Sequence, residues 1–137
     1  MTFFSSASRY APHLHGILRI VAGLMFLQHG LVKLLGFPAG AEPGQQPLMG
    51  MMGAAGVIET ATGLLIALGL FTRPAAFLAA GFCAVAYWMV HGPQSLYPIL
   101  NQGELAALYC FVFLYLFAAG PGAFSIDGSR ERRIARD

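Results

Sequence analysis

Four long apolar segments, separated by stretches rich in proline and glycine, constrain this chain more than any other feature. They cover about residues 14–36, 48–70, 74–91 and 104–120, and a helix of about 20 residues crosses the hydrocarbon core of a bilayer. Charged residues make up 10% of the 137 residues, too few to cover the surface of a soluble domain. Because backbone amides in lipid must pair within their own segment, we predict an all-α integral membrane four-helix bundle forming a single domain over residues 1–137.

The positive charges predict the orientation of this bundle. With four spans, six arginines fall on one side of the membrane: Arg9, Arg73, Arg130, Arg132, Arg133 and Arg136. The two loops on the other side carry Glu42 as their charged residue. Since positive charge favours the cytoplasmic side, we expect both termini, including a basic tail over residues 125–137, to be cytoplasmic. The absence of a basic face elsewhere in the sequence argues against nucleic-acid binding.

Several polar residues lie inside the apolar segments, at a similar depth in the outer half of the membrane. They come from three different helices or their ends: Gln28, His29, Lys33, His91, Asn101 and Glu104. Charges within lipid are costly and persist where they face the bundle interior, pair or bind a ligand. We therefore expect a shared pocket for a polar headgroup, a quinone ring or a small oxidant, with Lys33 and Glu104 as an ion pair. The alternative is that Lys33 snorkels to the interface and His91 caps a helix end.

Glu59 lies near the middle of the second apolar segment and must be protonated or paired there. Arg19, in the inner part of the first segment, is the nearest cation by depth. We therefore predict a structural Arg19–Glu59 ion pair that fixes helix packing. The alternative is a functional carboxyl that relays protons or hydrogen-bonds a quinone carbonyl.

The two cysteines, Cys83 and Cys110, belong to no CxxC motif or metal-ligand spacing. Both lie about two turns from the outer ends of their segments, so that neighbouring helices can bring them into contact. They are either small buried apolar residues or a redox pair. We predict no metal site.

The chain resembles the DoxX family of small bacterial membrane proteins. The matching stretches are LRIVAGLMFLQHGLVKLLG (18–36), GVIETATGLLIALGLFTRPAA (56–76), His91, NQGELAALY (101–109) and GPGAFSID (120–127). The resemblance implies four transmembrane helices in a bacterial plasma membrane. It also implies an association with quinone-linked oxidation of sulfur compounds, thiol stress and partner oxidoreductases. The recurring polar positions of the family fall on Arg19, His29, Lys33, Glu59, His91, Asn101 and Glu104.

These observations favour a redox-associated membrane protein that binds a quinone or similar small amphiphile. The predicted ligand-binding residues are His29, Lys33, Glu59, His91, Asn101 and Glu104. We expect no covalently bound cofactor, because the sequence has no haem, flavin or iron–sulfur signature, and electrons would come from a partner oxidoreductase. The alternatives are a non-enzymatic anchor or assembly subunit of an oxidoreductase complex and, third, a small transporter or lipid-handling protein. Whether the chain is an enzyme or an oligomer stays open.

Overall fold

The computed structural model describes residues 6–135, and within that range the chain is helical without a β-strand. The all-α prediction is confirmed. Residues 1–5 and the end of the predicted tail, Arg136 and Asp137, lie outside the described residues. The orientation of the termini stays a prediction.

Six α-helices follow one another along residues 6–135. After a 3₁₀ turn, Ser8–Tyr10, they are α1 Ala11–Leu35, α2 Met51–Leu68, α3 Thr72–Ala86, α4 Pro98–Asn101, α5 Glu104–Ala119 and α6 Ile126–Ile134. Helix α3 continues without a break into a π-helical turn, Tyr87–His91. The segments Ser8–Leu35, Met51–Leu68 and Thr72–His91 are long and apolar enough to cross a membrane. Helix α5 is apolar but shorter: its 16 residues make a helix about 24 Å long, which would cross a bilayer only where the bilayer is thinned.

Several helix boundaries differ from the sequence prediction by one to three residues, and α1 begins at Ala11 rather than at residue 14. Helix α2 begins at Met51 rather than at residue 48, because the preceding residues bend back so that the carbonyls of Pro47 and Leu48 lie against Gly53. The segment predicted as a basic tail contains helix α6. Ser125 caps this helix, since its hydroxyl accepts a hydrogen bond of 3.1 Å from the Gly128 N–H.

The bundle buries polar side chains beside its apolar core and exposes many large apolar side chains. The buried polar side chains are Arg19, Lys33, Glu59, Thr62, Thr72, Asn101 and Ser125. Large apolar side chains are exposed instead, among them Leu24, Phe77 and Phe111. This distribution suits a surface that contacts lipid, where burial of apolar side chains gives no hydrophobic gain.

Helices α1 and α2 pack with their backbones in direct contact at glycines. A Cβ atom added at Gly23 would lie 2.6 Å from the backbone nitrogen of Ala67, and one at Gly63 would lie 2.6 Å from that of Leu27. A Cβ atom added at Gly30 would lie 2.5 Å from the backbone nitrogen of Thr60. Small residues permit this close helix contact in membranes, and here they fix the antiparallel register of α1 and α2.

Helices α3 and α5 form a second pair, which packs small side chains against large ones. One face of α3 presents alanines, whereas the facing side of α5 presents the large residues Tyr109, Phe113 and Leu116. Phe26 of α1 joins this layer, with its ring centroid 4.9 Å from that of Phe113. The alanine face of α3 accommodates the large side chains of α5. Because Phe26 packs against the same layer, the aromatic residues connect the two helix pairs.

The glycine contacts generate a stability prediction. We expect Gly23→Ala to lower the free energy of unfolding by about 1–3 kcal/mol, because the added methyl group meets backbone that cannot move aside. Unfolding by a denaturing detergent in mixed micelles measures the change.

Gly81→Ala is the matched control, because a Cβ atom there meets no atom within 4 Å and Gly81 also lies within a helix. The control should be neutral or slightly stabilising, since alanine favours helix over glycine. Equal destabilisation by both substitutions would contradict the proposed backbone contact.

Candidate functional site

A buried ion pair joins α1 to α2. Lys33 Nζ lies 2.6 Å from Oε1 and 2.5 Å from Oε2 of Glu59. The two side chains are 11% and 6% exposed. Each charge would be costly alone at membrane depth, and each supplies the other with a hydrogen-bonded counter-ion. Gly56 leaves the space in which the Lys33 stem crosses α2, since a Cβ atom at Gly56 would lie 3.0 Å from that of Lys33.

Both ion pairs predicted from the sequence, Arg19–Glu59 and Lys33–Glu104, are wrong. The reason lies in helix geometry: side chains lean toward the N-terminus of their helix. In α1 this direction carries Lys33 toward the membrane interior and Arg19 away from it. In antiparallel α2 it carries Glu59 toward Lys33. Glu59 and Lys33 therefore lean toward each other, whereas Glu59 and Arg19 lean apart.

Arg19 binds backbone carbonyls instead of a carboxylate. Its side chain is fully buried and donates to the carbonyls of Ile66, Ala67, Pro121, Ala123 and Phe124 at 2.7–3.1 Å. Two of these carbonyls belong to the last turn of α2, whose negative dipole end favours a cation. The others belong to the loop that leads into α6. We call the end of the bundle near Arg19 the inner end and the end near Lys33 the outer end.

Asp127 makes a second set of stabilising hydrogen bonds at the inner end. Its carboxylate accepts hydrogen bonds from the N–H groups of Phe71 and Thr72 at 3.1 and 2.8 Å and from the Thr72 hydroxyl at 2.9 Å. It thus caps the start of α3, where the side chain of Phe71 provides no cap. Burial opposes ionisation of Asp127, but the hydrogen bonds from Thr72 and Phe71 and the charge of Arg130 outweigh it and lower its pKa.

The outer half of the bundle contains a cavity of about 520 Å³ between the two helix pairs. Four predicted ligand-binding residues line it: His29, Lys33, Glu59 and His91. Most of the remaining wall is apolar and includes Phe26, Met52, Ile58, Phe82, Met89 and Leu105. The structure therefore brings ionisable groups from three helical segments to one chamber.

The other two predicted ligand-binding residues, Asn101 and Glu104, do not belong to the lining of this cavity as described. Asn101 is fully buried and supports the outer loop. Its amide donates to the Ser95 carbonyl at 2.8 Å and accepts from the Gly103 N–H at 2.7 Å. Its backbone carbonyl lies 2.9 Å from His91 Nδ1, so Asn101 positions His91 at the cavity. Glu104 is exposed at the first turn of α5.

Tyr109 is a cavity residue that the sequence did not single out as a ligand-binding residue. It is 6% exposed, and its hydroxyl is buried without a hydrogen-bond partner among residues 6–135. Its ring stacks on Phe113 with an interplanar angle of 9° and meets the His29 ring edge-on at 6.0 Å. A buried hydroxyl without a partner is uncommon in native proteins and marks the cavity wall as a place for a hydrogen-bonding ligand.

The π-helical turn and Cys83 complete the wall. The turn is closed by a hydrogen bond of 2.8 Å from the Gly92 N–H to the Tyr87 carbonyl, and it contributes Met89, Val90 and His91 to the lining. No spacing in the sequence indicates such a turn, although π-helical turns are common at functional sites. Cys83 lines the cavity, Cys110 packs beside the core, and both are free thiols.

These features define a small multi-pass membrane bundle, closed at the inner end by arginine–carbonyl contacts and hollow at the outer end. The DoxX family profile matches residues 14–92 of the chain. The chain belongs to the DoxX family and is a multi-pass protein of the bacterial inner membrane.

Curated relatives cover most of the chain. An uncharacterized protein of Haemophilus influenzae is 42% identical over 127 residues, which are 90% of this chain and 95% of the relative. The inner membrane protein YphA of Escherichia coli is 32% identical over 85% of this chain and 89% of its own length. The inner membrane protein YqjF of Escherichia coli is 31% identical over 81% and 87%. No solved structure matches the chain significantly.

The buried ion pair generates a prediction of coupling. We expect Lys33→Met to destabilise the protein by about 3–5 kcal/mol, because it leaves the Glu59 carboxylate buried without its partner. Adding Glu59→Leu should restore most of that loss, because two apolar side chains of similar volume then replace the pair. A double-mutant cycle measured by unfolding in mixed micelles gives the coupling energy. Additive effects of the two substitutions would show that the ion pair does not form in the protein.

Asp127 generates a pH prediction. Its folded-state pKa is lowered, so the carboxylate stabilises the fold above its unfolded pKa of about 3.9, and this contribution is lost as pH falls through the folded-state pKa. We expect Asp127→Asn to lower the unfolding temperature at neutral pH and to flatten its dependence on pH below about 4. Glu131→Gln, which removes an exposed carboxylate from the same helix, is the control. An unchanged acid profile in the Asp127 variant would contradict the capping role.

Proposed function

We propose that the outer cavity binds a small amphiphile with a polar ring or headgroup, and that a quinone is the first ligand to test. The observation that carries this proposal is the composition of the wall. The polar groups of this mostly apolar chamber are the Lys33–Glu59 pair, two histidines, Gln102 and the unpartnered Tyr109 hydroxyl. Ligand sites commonly combine an apolar lining with few polar groups that orient the ligand.

The position of the cavity favours a ligand that arrives from the membrane. Three residues line the cavity and are also exposed at the bundle surface: Met51 and Ala54 of α2 and Val85 of α3. Helices α2 and α3 are joined by a short turn at the inner end and leave this opening between them toward the outer end. An amphiphile dissolved in the bilayer meets the opening directly.

The polar groups of the wall fit the chemistry of a quinone. A quinone carbonyl accepts hydrogen bonds, and Tyr109 offers an unused O–H donor while the Lys33 ammonium offers N–H donors. Reduction of a quinone takes up protons together with electrons. In this proposal Glu59 and the histidines exchange the protons, and a partner oxidoreductase supplies the electrons.

A second candidate is a non-enzymatic anchor or assembly subunit. The Lys33–Glu59 pair and the Arg19 contacts support it, because these groups bind one another or the backbone and need no ligand. In this alternative the cavity is a by-product of joining a glycine-packed pair to an alanine–aromatic pair.

Tyr109→Phe separates the two candidates. Removal of an unpartnered buried hydroxyl should leave the ligand-free protein unchanged or more stable. If a short-chain ubiquinone or menaquinone analogue hydrogen-bonds that hydroxyl, the same substitution should weaken its binding up to about tenfold. Purified protein in nanodiscs is titrated with each analogue, and the unfolding temperature gives the affinity.

His29→Ala should also weaken binding. Glu104→Gln is the control, because Glu104 belongs to the same helix as Tyr109 but is exposed and does not line the cavity. Saturable stabilisation in the wild type that falls in the Tyr109 and His29 variants and persists in the Glu104 variant supports the proposal. The scaffold candidate gains if no analogue stabilises the protein saturably. It gains equally if the cavity variants bind as the wild type does.

A further inference from the structure

A second concave site lies at the inner end of the bundle, opposite the end that contains the outer cavity. It is an open groove of about 400 Å³ between the end of α2 and helix α6. Its lining combines apolar and cationic side chains: Leu68, Phe124, Ser125, Ile126, Ser129, Arg130 and Arg133. Leu68 is the last residue of a membrane-spanning helix, so the groove lies where hydrocarbon meets the headgroup layer.

Helix α6 presents one face to this groove. Ile126, Ser129, Arg130 and Arg133 line it, and their spacing of three and four residues places them on one side of a helix. Phe124 and Ile126 remain 62% and 38% exposed, which leaves apolar surface next to two guanidinium groups.

The groove is built rigidly, because α6 is fastened to the bundle. The Asp127 N–H donates to the Gly69 carbonyl at 2.9 Å, and Arg19 binds the carbonyls of the loop just before Ser125. Gly69 and Ser125 touch so closely that a Cβ atom at Gly69 would lie 2.5 Å from that of Ser125. The backbone of α6 is therefore held at a fixed distance from the end of α2, and Arg130 and Arg133 do not belong to a free tail.

We propose that this groove binds one anionic phospholipid of the adjoining leaflet. Arg130 and Arg133 would bind the phosphate, to which guanidinium groups can donate paired hydrogen bonds, and the acyl chains would lie along Leu68 and Phe124. Two acidic residues belong to the same helix, Asp127 and Glu131. The Asp127 carboxylate already binds the N-terminus of α3, and the groove lining is cationic and apolar. Charge complementarity thus selects an anionic over a zwitterionic lipid.

Native mass spectrometry of protein released from bilayers tests this proposal. Nanodiscs contain phosphatidylcholine with or without phosphatidylglycerol, and the number of retained lipids is counted for each. We expect the wild type to retain one phosphatidylglycerol in preference to phosphatidylcholine. The double variant Arg130→Gln/Arg133→Gln should lose this preference, with about tenfold or greater weakening of phosphatidylglycerol binding.

Two further variants make the result specific to the groove. Arg9→Gln removes a positive charge from the same end of the bundle, outside the groove lining, and should retain the lipid. Arg130→Lys/Arg133→Lys keeps the charge and should retain the preference in part. Equal loss in the Arg9 variant, equal retention of both lipids by the wild type, or unchanged retention in the glutamine variant would overturn the proposal.

Discussion

The direct backbone contact between α1 and α2 is the constraint on which the rest of the structure depends. Gly23, Gly30 and Gly63 bring the two helices so close that no Cβ atom fits at these positions. This contact fixes both the distance between the helices and their register. A change of register by one turn would place Lys33 beside an apolar stretch of α2 and leave two buried charges without partners. In lipid, where hydrophobic burial does not drive helix association, the glycine contact and the ion pair therefore determine the same arrangement.

The two ends of the bundle use their polar groups differently. At the inner end, Arg19 binds the last turn of α2 and the loop before α6, and every N–H group of its guanidinium has an acceptor. Asp127 binds the start of α3. At the outer end, charges pair across α1 and α2, but the two helix pairs leave a chamber between them. The polar groups of the inner end therefore hold helices and loop together, whereas those of the outer end line an open cavity.

Depth along the membrane was predictable from the sequence, but direction around each helix was not. Counting residues placed His29, Lys33 and His91 in the outer half, and the structure brings them to one cavity. The same counting assigned Glu59 to Arg19, because depth alone takes no account of the direction in which side chains lean. Asn101 lies at the expected end, yet it points into its own loop, which local hydrogen bonds determine. The sequence alone did not distinguish a pocket-lining role for Tyr109 from packing, because a tyrosine in an apolar helix is usually packed.

The size of the residues around the outer cavity bears on whether it is an accident of packing. Ala54, Ala55, Ala86 and Ala106 line the chamber, while Phe77, Trp88 and Phe111 point toward lipid. Dispersion contacts are lost along an unfilled wall, and larger side chains at the alanine positions would recover them. A chain selected for stability alone would place bulk inside this volume. The alanines in the wall, the buried ion pair and the unused hydroxyl are the features that support the proposal of a chamber kept open for a ligand.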